Sequence, residues 1–356
     1  NIAGGVSYMQ IAGNWINNGG TLNAGIPTTI RFEGIGNFIG GSSPTTFPHL
    51  QFGNTLNNVS YQINQNITCQ NLIIDADNSY RQVVINAPYT VNVNGDLILN
   101  QPTANATNIL NVNGGTLNVT GNLNFAGADN PNRIAKLLVS NGIATINGTV
   151  NWVITANVLC DVLEVSTGTL NLQQDVSMPN NSGVISLTGA GVVNFNGSNI
   201  VSLNLNNVGG GVSAQLNTVA GSTVTFAKGI TNSLSALTLA NGSYAVFTGN
   251  SSITPNAAIT FGNVYINAGI TLTLNGDIAL QNDWINLGGT FVHNNRRVSF
   301  VGSGQQTIAK LGGEVFYDVT SNTTGSIFLN DNVTILNNLT MTNGNFNLNG
   351  KILFLG

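Results

Sequence analysis

The chain carries one heptad twice, and this duplication constrains its fold more than any other feature of the sequence. Residues 15–21 read Trp-Ile-Asn-Asn-Gly-Gly-Thr, and residues 284–290 read Trp-Ile-Asn-Leu-Gly-Gly-Thr. Each heptad is followed by an aromatic-glycine segment, a turn-rich stretch and an alternating strand of Asn and aliphatic residues. Internal self-similarity of this kind is typical of repeat proteins, in which stacked units share one extended core.

Short alternating segments dominate the rest of the chain. Residues 116–120 (Thr-Leu-Asn-Val-Thr) and 271–275 (Thr-Leu-Thr-Leu-Asn) place aliphatic side chains on one face and polar ones on the other, as half-buried strands do. Most such segments end at Asn-Gly or Gly-Gly, as at 94–95 and 349–350. Both residue types tolerate positive φ, so each pair predicts a sharp corner.

Two all-β folds fit this pattern. Asn-Gly between strands is also a hairpin signal, so an antiparallel meander is the competing interpretation. The strands are short, however, and corner Asn residues that recur on every rung can stack their amides into ladders. The sequence therefore favours a parallel β-helix (β-solenoid), right-handed and with open, uncapped ends.

The repeats also predict how the chain is organised. Rungs of roughly 20 to 25 residues would give on the order of 15 rungs. We expect one continuous solenoid with a first long repeat module (residues 1–100), regular β-helical rungs (101–280) and a second copy of the long module (281–356). Residues 40–48, with two Pro residues, are predicted to form the largest exposed loop.

Aromatic and thiol side chains are predicted to lie in the interior. Cys69 and Cys160 occupy matching positions of similar segments, and Ile335 stands in the same position of the last copy. A position that accepts Cys or Ile is an apolar core position, so two buried thiols are expected, with a disulfide between rungs as the alternative. The phenylalanines predicted to fill the wider layers are Phe32, Phe52, Phe125, Phe195, Phe226, Phe247, Phe261, Phe300, Phe316 and Phe346.

Composition argues against several functions. Charged residues make up 6% of the chain, against roughly 25% in an ordinary soluble domain. The net charge is −4 and only nine residues are Lys or Arg, which argues against a nucleic-acid partner. No apolar run approaches the roughly 18 residues of a membrane-spanning helix, so membrane insertion is not expected.

The acidic residues offer few candidates for chemistry. Some β-helices degrade polysaccharides, which requires grouped carboxylates, often with Ca²⁺, Arg or Lys. For catalysis the best candidates are Asp75 and Asp77, which are followed by Arg81, and a second pair is Asp161 and Glu164. Asp75 and Asp77 are also weak candidates for a metal site. Because so few acids are grouped, the sequence predicts no enzyme, no cofactor and no metal. Carbohydrate binding or degradation is the alternative function. It would be favoured if Asp75, Asp77 and Arg81 shared an open groove. Exposed aromatic side chains could bind sugars, and the candidates are Tyr80, Tyr89, Trp152 and Tyr265.

The two ends of the sequence resemble interrupted repeats. Residues 348–354 match residues 274–280, which lead into the second Trp heptad. Open strand edges recruit partners, so head-to-tail pairing with a second copy, or continuation in a longer chain, is expected. The predicted interface residues are Val6, Tyr8, Trp15, Leu348, Ile352 and Phe354.

The second copy also resembles a known group of proteins. Its heptad is followed by residues 298–308 (Val-Ser-Phe-Val-Gly-Ser-Gly-Gln-Gln-Thr-Ile), 316–320 (Phe-Tyr-Asp-Val-Thr) and 339–344 (Leu-Thr-Met-Thr-Asn-Gly). This set resembles the modules of large secreted surface proteins of Bacteroidota, including gliding-type adhesins exported by the type IX system. The resemblance is good over 281–356, recognisable over 11–100 and only compositional between them. The resemblance implies an extracellular, adhesive or structural role, and it supplies no catalytic residues. We therefore expect a secreted, cell-surface protein that forms part of a fibre or adhesin stalk, with itself and surface polysaccharide as the candidate partners.

Overall fold

The computed structural model describes residues 8–23, 28–53, 58–77, 80–127, 130, 132–152, 160–178, 183–197, 201–203, 215–233 and 235–356. These residues form strands, turns and bends, and none of them is helical, so no helix in this part of the chain could span a membrane. The chain divides into two compact units: residues 1–174, 180–186 and 209–215 form the first, and residues 175–179, 187–208 and 216–356 form the second.

The first unit contains the strands from β1 to β18. Their bounds are β1 Tyr8–Ile11, β2 Trp15–Ile16, β3 Thr29–Phe32, β4 Phe38–Gly40, β5 Thr45–Phe52, β6 Val59–Asn64, β7 Ile67–Ile74, β8 Arg81–Asn86, β9 Thr90–Val93, β10 Leu97–Asn100, β11 Ala106–Asn113, β12 Thr116–Val119, β13 Leu123–Ala126, β14 Arg133–Val139, β15 Ile143–Ile146, β16 Val150–Asn151, β17 Asp161–Val165 and β18 Thr169–Leu172.

The second unit contains most of the remaining strands, and the division between the units falls within β20 and β23. The bounds are β19 Ser177–Met178, β20 Val184–Leu187, β21 Val192–Phe195, β22 Val201–Leu203, β23 Gln215–Asn217, β24 Thr223–Phe226, β25 Gly229–Asn232, β26 Leu237–Thr238, β27 Tyr244–Phe247, β28 Ser251–Pro255, β29 Ile259–Phe261, β30 Asn263–Ile266, β31 Thr271–Leu274, β32 Ile278–Leu280, β33 Trp284–Asn286, β34 Thr290–Val292, β35 Arg297–Phe300, β36 Gln306–Lys310, β37 Glu314–Leu329, β38 Val333–Asn347 and β39 Leu353–Leu355.

Strands pair in parallel with the strand one turn later. In the first unit Thr116 lies opposite Ile143, 27 residues on, and in the second unit Ile278 lies opposite Val298, 20 residues on. This spacing is one rung of a coil, and the described strands make about 14 such turns, divided between the units. The predicted all-β parallel solenoid is therefore confirmed, and the antiparallel meander is wrong. Its right-handedness and the three sequence zones stay predictions.

The interior of each unit is built by the alternation that the sequence shows. In β12 the side chains of Leu117 and Val119 are fully buried, whereas Thr116 and Asn118 are half-buried on the outer face. Burying one such aliphatic side chain stabilises the fold by roughly 1.5 to 3 kcal/mol before conformational entropy is counted. Nine of the ten predicted interior phenylalanines are buried; the exception is Phe346, which is half-buried in β38.

The predicted loop at residues 40–48 is wrong over most of its length. Residue 40 ends β4, and β5 begins at Thr45, so Phe47 and Pro48 lie buried in a strand. Proline has no backbone N–H, so it is usually kept out of ladders. Here β5 pairs with β7 on both sides of Pro48, at Phe47 and again at His49. Only the residue pair at Pro48 itself is missing from this ladder.

Corner side chains in the first unit bond from rung to rung. Asn71 Oδ1 accepts the backbone N–H of Asp96 at 3.0 Å, Asp96 Oδ1 accepts that of Asn122 at 2.7 Å, and Asn122 Oδ1 accepts that of Thr149 at 2.9 Å. Each step crosses one turn of the coil, and each satisfies a backbone donor that the corner removes from the sheet. The predicted ladder of stacked amides thus takes another form, a corner ladder that joins side-chain oxygens to backbone N–H groups and includes Asp96.

The second unit contains ladders of the same kind. Asn263 Oδ1 accepts from the backbone of Asp283, and Asp283 Oδ1 accepts from that of Thr307. In these ladders the side-chain acceptor belongs to the earlier rung and the backbone donor to the later one. The ladders therefore have a direction along the chain.

Both cysteines are buried thiols, as the shared position predicted. Cys69 lies in β7 between Phe47 of β5 and Val93 of β9. Burial raises the pKa of the Cys69 thiol from 9.0 to about 12, because the thiolate would lose its hydration. The alternative of a disulfide between them is wrong.

Candidate functional sites

The first copy of the Trp motif forms a closed hydrogen-bonded unit around Asn17. Its Oδ1 accepts the backbone N–H groups of Gly19 and Gly20 at 3.1 and 2.8 Å. Its Nδ2 donates to Thr45 Oγ1 at 3.1 Å, and the indole N–H of Trp15 donates to the same oxygen at 3.1 Å. One buried hydroxyl thus holds both conserved side chains of the heptad in place.

The second copy repeats this arrangement around Asn286, with a carboxylate as acceptor. Asn286 Oδ1 accepts from Gly288 and Gly289 at 3.1 and 2.7 Å. Asn286 Nδ2 and the indole N–H of Trp284 both donate to Glu314 Oε2, each at 2.9 Å. Glu314 is 1% exposed, and its other oxygen accepts from Lys310 Nζ at 3.0 Å.

The aromatic packing of the two copies also matches. The ring of Trp15 meets Phe47 edge-on at 5.5 Å, and that of Trp284 meets Phe316 edge-on at 5.4 Å. In both copies the acceptor stands 30 residues after the Trp and the Phe two residues further on, as the residue numbers show. The heptad is therefore an internal structural element whose polar groups face other parts of the same fold.

The predicted acidic cluster exists, but its carboxylates are paired with arginines. Asp77 Oδ2 lies 2.9 Å from Arg81 Nη2 and 3.5 Å from Arg31 Nη2, and Asp75 Oδ2 lies 3.2 Å from Arg31 Nη2. Both acids lie just after the end of β7. Arg31 also pairs with Glu33 at 2.9 Å, so three acids share two guanidinium groups.

Arg81 connects this cluster to the core of the first unit. Its side chain is fully buried, and Nη1 donates to the backbone oxygen of Asp75 at 2.9 Å. Burial lowers the pKa of Arg81, and the charges of Asp77 and Asp75 act in the opposite direction. The Arg81–Asp77 ion pair therefore serves the stability of the fold, because removing either partner would leave an unpaired charge. The carboxylates that the carbohydrate alternative requires in an open groove are thus engaged by Arg31 and Arg81.

The second predicted acidic pair is not brought together. Asp161 is fully buried in β17 and accepts from Gln101 Nε2 at 3.0 Å. Glu164 lies three residues on, half-buried, and pairs with Lys136 Nζ at 2.6 Å. The two carboxylates stand at odd and even positions of one strand, so they point to opposite faces.

The predicted interface residues differ in their surroundings. Val6 lies outside the described residues. Tyr8 is 59% exposed in β1, whereas Trp15 is held by Phe47 and Thr45 inside its own unit. In the second unit three apolar side chains are each 42–53% exposed: Leu348 and Ile352 in the turn between β38 and β39, and Phe354 in β39.

The aromatic candidates for carbohydrate binding are mostly packed. Trp152 is 8% exposed and stacks on Phe125 at 5.4 Å, and Tyr265 contacts Tyr244 at 5.7 Å. Tyr80 and Tyr89 are half-buried.

Sequence reasoning missed Thr45 and Glu314, the acceptors of the two Trp motifs. Aligning the copies beyond the heptad would have found their positions, because Phe47 and Phe316 match at the same separation. Thr and Glu differ too much in size and charge for residue identity to reveal them.

No group of three or more His, Cys, Asp or Glu side chains that could hold a metal ion occurs in the described part of the chain. No family model, curated protein or solved structure matches the sequence or the fold.

Proposed function

We propose that the chain is a non-enzymatic structural protein: a segment or subunit of an extracellular fibre or adhesin stalk that associates end to end through β-edges. The observation that carries this proposal is the outer edge of β38 and β39. Among the described strands β39 pairs with β38 alone, and β38 beyond Ile335 pairs only with β37. An unpaired parallel edge is a template for another strand.

The internal chemistry of the chain supports a mechanical role. Rungs are joined by backbone ladders, by directional corner bonds and by buried aromatic contacts, and each of these acts between neighbouring turns. The stability of such a stack is close to the sum of the stabilities of its rungs and of the interfaces between neighbouring rungs. Rungs can therefore be added or removed without changing the packing inside the others.

The location rests on the resemblance to secreted Bacteroidota surface modules alone. The Trp heptad and residues 298–308, 316–320 and 339–344 carry that resemblance. The low charge and abundant neutral polar side chains suit a surface that is hydrated through amides and hydroxyls.

The carbohydrate-degrading alternative is less well supported. A general acid or base must be able to exchange a proton with a bound substrate. Asp75 and Asp77 instead accept from arginines and from Gln51, whose Nε2 lies 2.8 Å from Asp75 Oδ2.

Sedimentation velocity over a wide concentration range tests the proposed association. We expect the chain to assemble with rising concentration and Phe354→Lys to abolish assembly, because a lysine at the open edge opposes strand addition. Leu311→Lys is the matched control, since Leu311 is 91% exposed in the turn between β36 and β37, away from this edge. A chain that stays monomeric at every concentration, or that assembles equally well with Phe354→Lys, would refute the proposal.

A further inference from the structure

A tight turn in the second unit gathers an unusual set of side chains for this chain. The backbone N–H of Arg296 donates to the carbonyl of His293 at 2.8 Å, and the two central residues, Asn294 and Asn295, have φ of 45° and 56°. Two positive φ values define a type I′ turn, in which the first and fourth Cα atoms lie less than about 7 Å apart. His293 and Arg296 are therefore neighbours.

The turn borders an open surface groove, and one of its residues, His293, forms a ring pair with Tyr317. The groove has a volume of about 460 Å³ and is lined by residues 291–295. The imidazole of His293 stacks on the ring of Tyr317, with centroids 5.6 Å apart and planes 24° from parallel. His293 Nδ1 accepts the backbone N–H of Asn295 at 3.1 Å, so the neutral ring carries its proton on Nε2 and can donate there.

Two exposed arginines follow directly after the central residues of the turn. Arg296 and Arg297 are both exposed, and neither forms an ion pair with a carboxylate of the described residues. Arg297 lies in register with Asp318, so Tyr317 falls one rung beyond Arg296.

Two acids flank Arg297, and one oxygen of each already accepts hydrogen bonds. Asp318 Oδ1 accepts from the side chain of Asn337 and the backbone of Asn338, each at 3.0 Å. Asp277 Oδ1 accepts the backbone N–H of Arg297 at 2.8 Å. Arg296 and Arg297 are the only adjacent pair among the nine Lys and Arg residues of the sequence.

We propose that the His293–Arg296 turn, with Tyr317 and Arg297, binds an acidic polysaccharide that carries uronate carboxylates. A guanidinium binds a carboxylate through two parallel hydrogen bonds. The ring pair offers an apolar face for the C–H groups of a sugar ring, and the Asn294 and Asn295 amides and His293 Nε2 offer hydrogen bonds to hydroxyls. This site is separate from the open edge and does not depend on end-to-end association.

A polyuronate fits this surface better than a nucleic acid does. Duplex DNA carries one charge per roughly 1.7 Å, and binding it requires several cations along a track. Two arginines on a protein of net charge −4 provide no such track. The sugar C–H faces of a polyuronate and its one carboxylate per sugar match one ring pair and two guanidinium groups.

Affinity electrophoresis in gels containing polygalacturonate, neutral dextran or duplex DNA tests this proposal. We expect polygalacturonate alone to retard the chain. The double variant Arg296→Ala/Arg297→Ala should weaken the apparent affinity at least tenfold, His293→Ala should weaken it less, and Arg296→Lys should recover only part of it. Lys351→Ala, which removes an exposed charge in a different turn, is the matched control and should bind like the parent chain.

Several results would overturn the proposal. They are no retardation by polygalacturonate, equal retardation by dextran or DNA, and equal affinity of the double arginine variant and Lys351→Ala. Circular dichroism should show the same fold for every variant, because all the substituted side chains except His293 are exposed.

Discussion

The indole N–H of Trp284 donates to Glu314 Oε2 at 2.9 Å, across one turn of the solenoid, where the first copy of the motif uses the hydroxyl of Thr45. The same backbone arrangement therefore accepts either a neutral or an ionised oxygen. In the second copy the added charge is balanced by Lys310. The residue 30 positions after each Trp is therefore defined by its role, which is to accept hydrogen bonds from the indole and from the Asn amide.

Glu314→Ala is expected to destabilise the second unit by about 3 kcal/mol. It leaves the buried donors of Trp284 and Asn286 unsatisfied, and each such donor costs roughly 1 to 3 kcal/mol. Glu314→Thr, which supplies the acceptor of the first copy, should cost less. Urea unfolding followed by tryptophan fluorescence measures both. As a control, Glu164→Ala breaks a half-exposed pair with Lys136 and should cost less than about 1 kcal/mol. Equal effects of Glu314→Ala and Glu164→Ala would contradict the assignment.

Replacing the middle residue of the corner ladder tests whether its side-chain oxygen matters. Asn122 Oδ1 accepts from both the backbone and the hydroxyl of Thr149, each at 2.9 Å. Asn122→Ala removes this acceptor and should cost about 1 kcal/mol. Asn122→Asp keeps it, as Asp96 does one rung earlier, and should be close to neutral. Thermal melts of the two variants would show the difference. If Asn122→Ala were as stable as the parent chain, water would be replacing the ladder bond without loss of stability.

Two glycines with positive φ should respond very differently to alanine. At Gly229, with φ of 117°, an added Cβ would lie 1.9 Å from the backbone oxygen of Ser252 on the next rung. At Gly269, with φ of 75°, no atom lies within 4 Å of that position. Gly269→Ala should therefore cost only the backbone strain of about 1 to 2 kcal/mol. Gly229→Ala must also separate two rungs and should cost more than about 3 kcal/mol. Similar unfolding midpoints for the two variants would argue against this close stacking.

Alkaline pH should destabilise the first unit through Cys69. Its pKa is 9.0 in the unfolded chain and about 12 when buried, so the folded state holds a proton that the unfolded state loses. This contribution to stability is complete below pH 9 and is lost as the pH rises towards 12, with a slope of about 1.4 kcal/mol per pH unit. Cys69→Val should flatten that part of the stability profile, because the position already accepts apolar side chains. Identical profiles for parent and variant would show that the thiol is hydrated.

Much of the fold could be predicted from local pattern. Leu117 and Val119 alternate with polar residues, and they are buried as period-two alternation requires. The matching contexts of Cys69 and Cys160 correctly predicted two core positions. Pro48 was misjudged because its missing donor was weighed without its neighbours, whose ladder bonds keep the strand in the sheet.

The candidate sites depended on contacts between distant residues. Asp75 and Asp77 could be selected as a pair, but Arg31 lies more than forty positions earlier in the chain, and no local spacing predicts that its guanidinium neutralises them. The His293–Arg296 turn was not predicted either. Its signal was present in the Asn294-Asn295 pair, which tolerates positive φ, next to the only adjacent arginines in the sequence.

X-ray diffraction from aligned, concentrated protein tests the central claim most directly. If solenoid rungs continue from one molecule to the next through open β-edges, filaments should form and give a strong meridional reflection near 4.8 Å, the spacing between paired strands along the axis. Discrete particles at every concentration, or filaments whose 4.8 Å reflection lies on the equator, would contradict end-to-end stacking of these units.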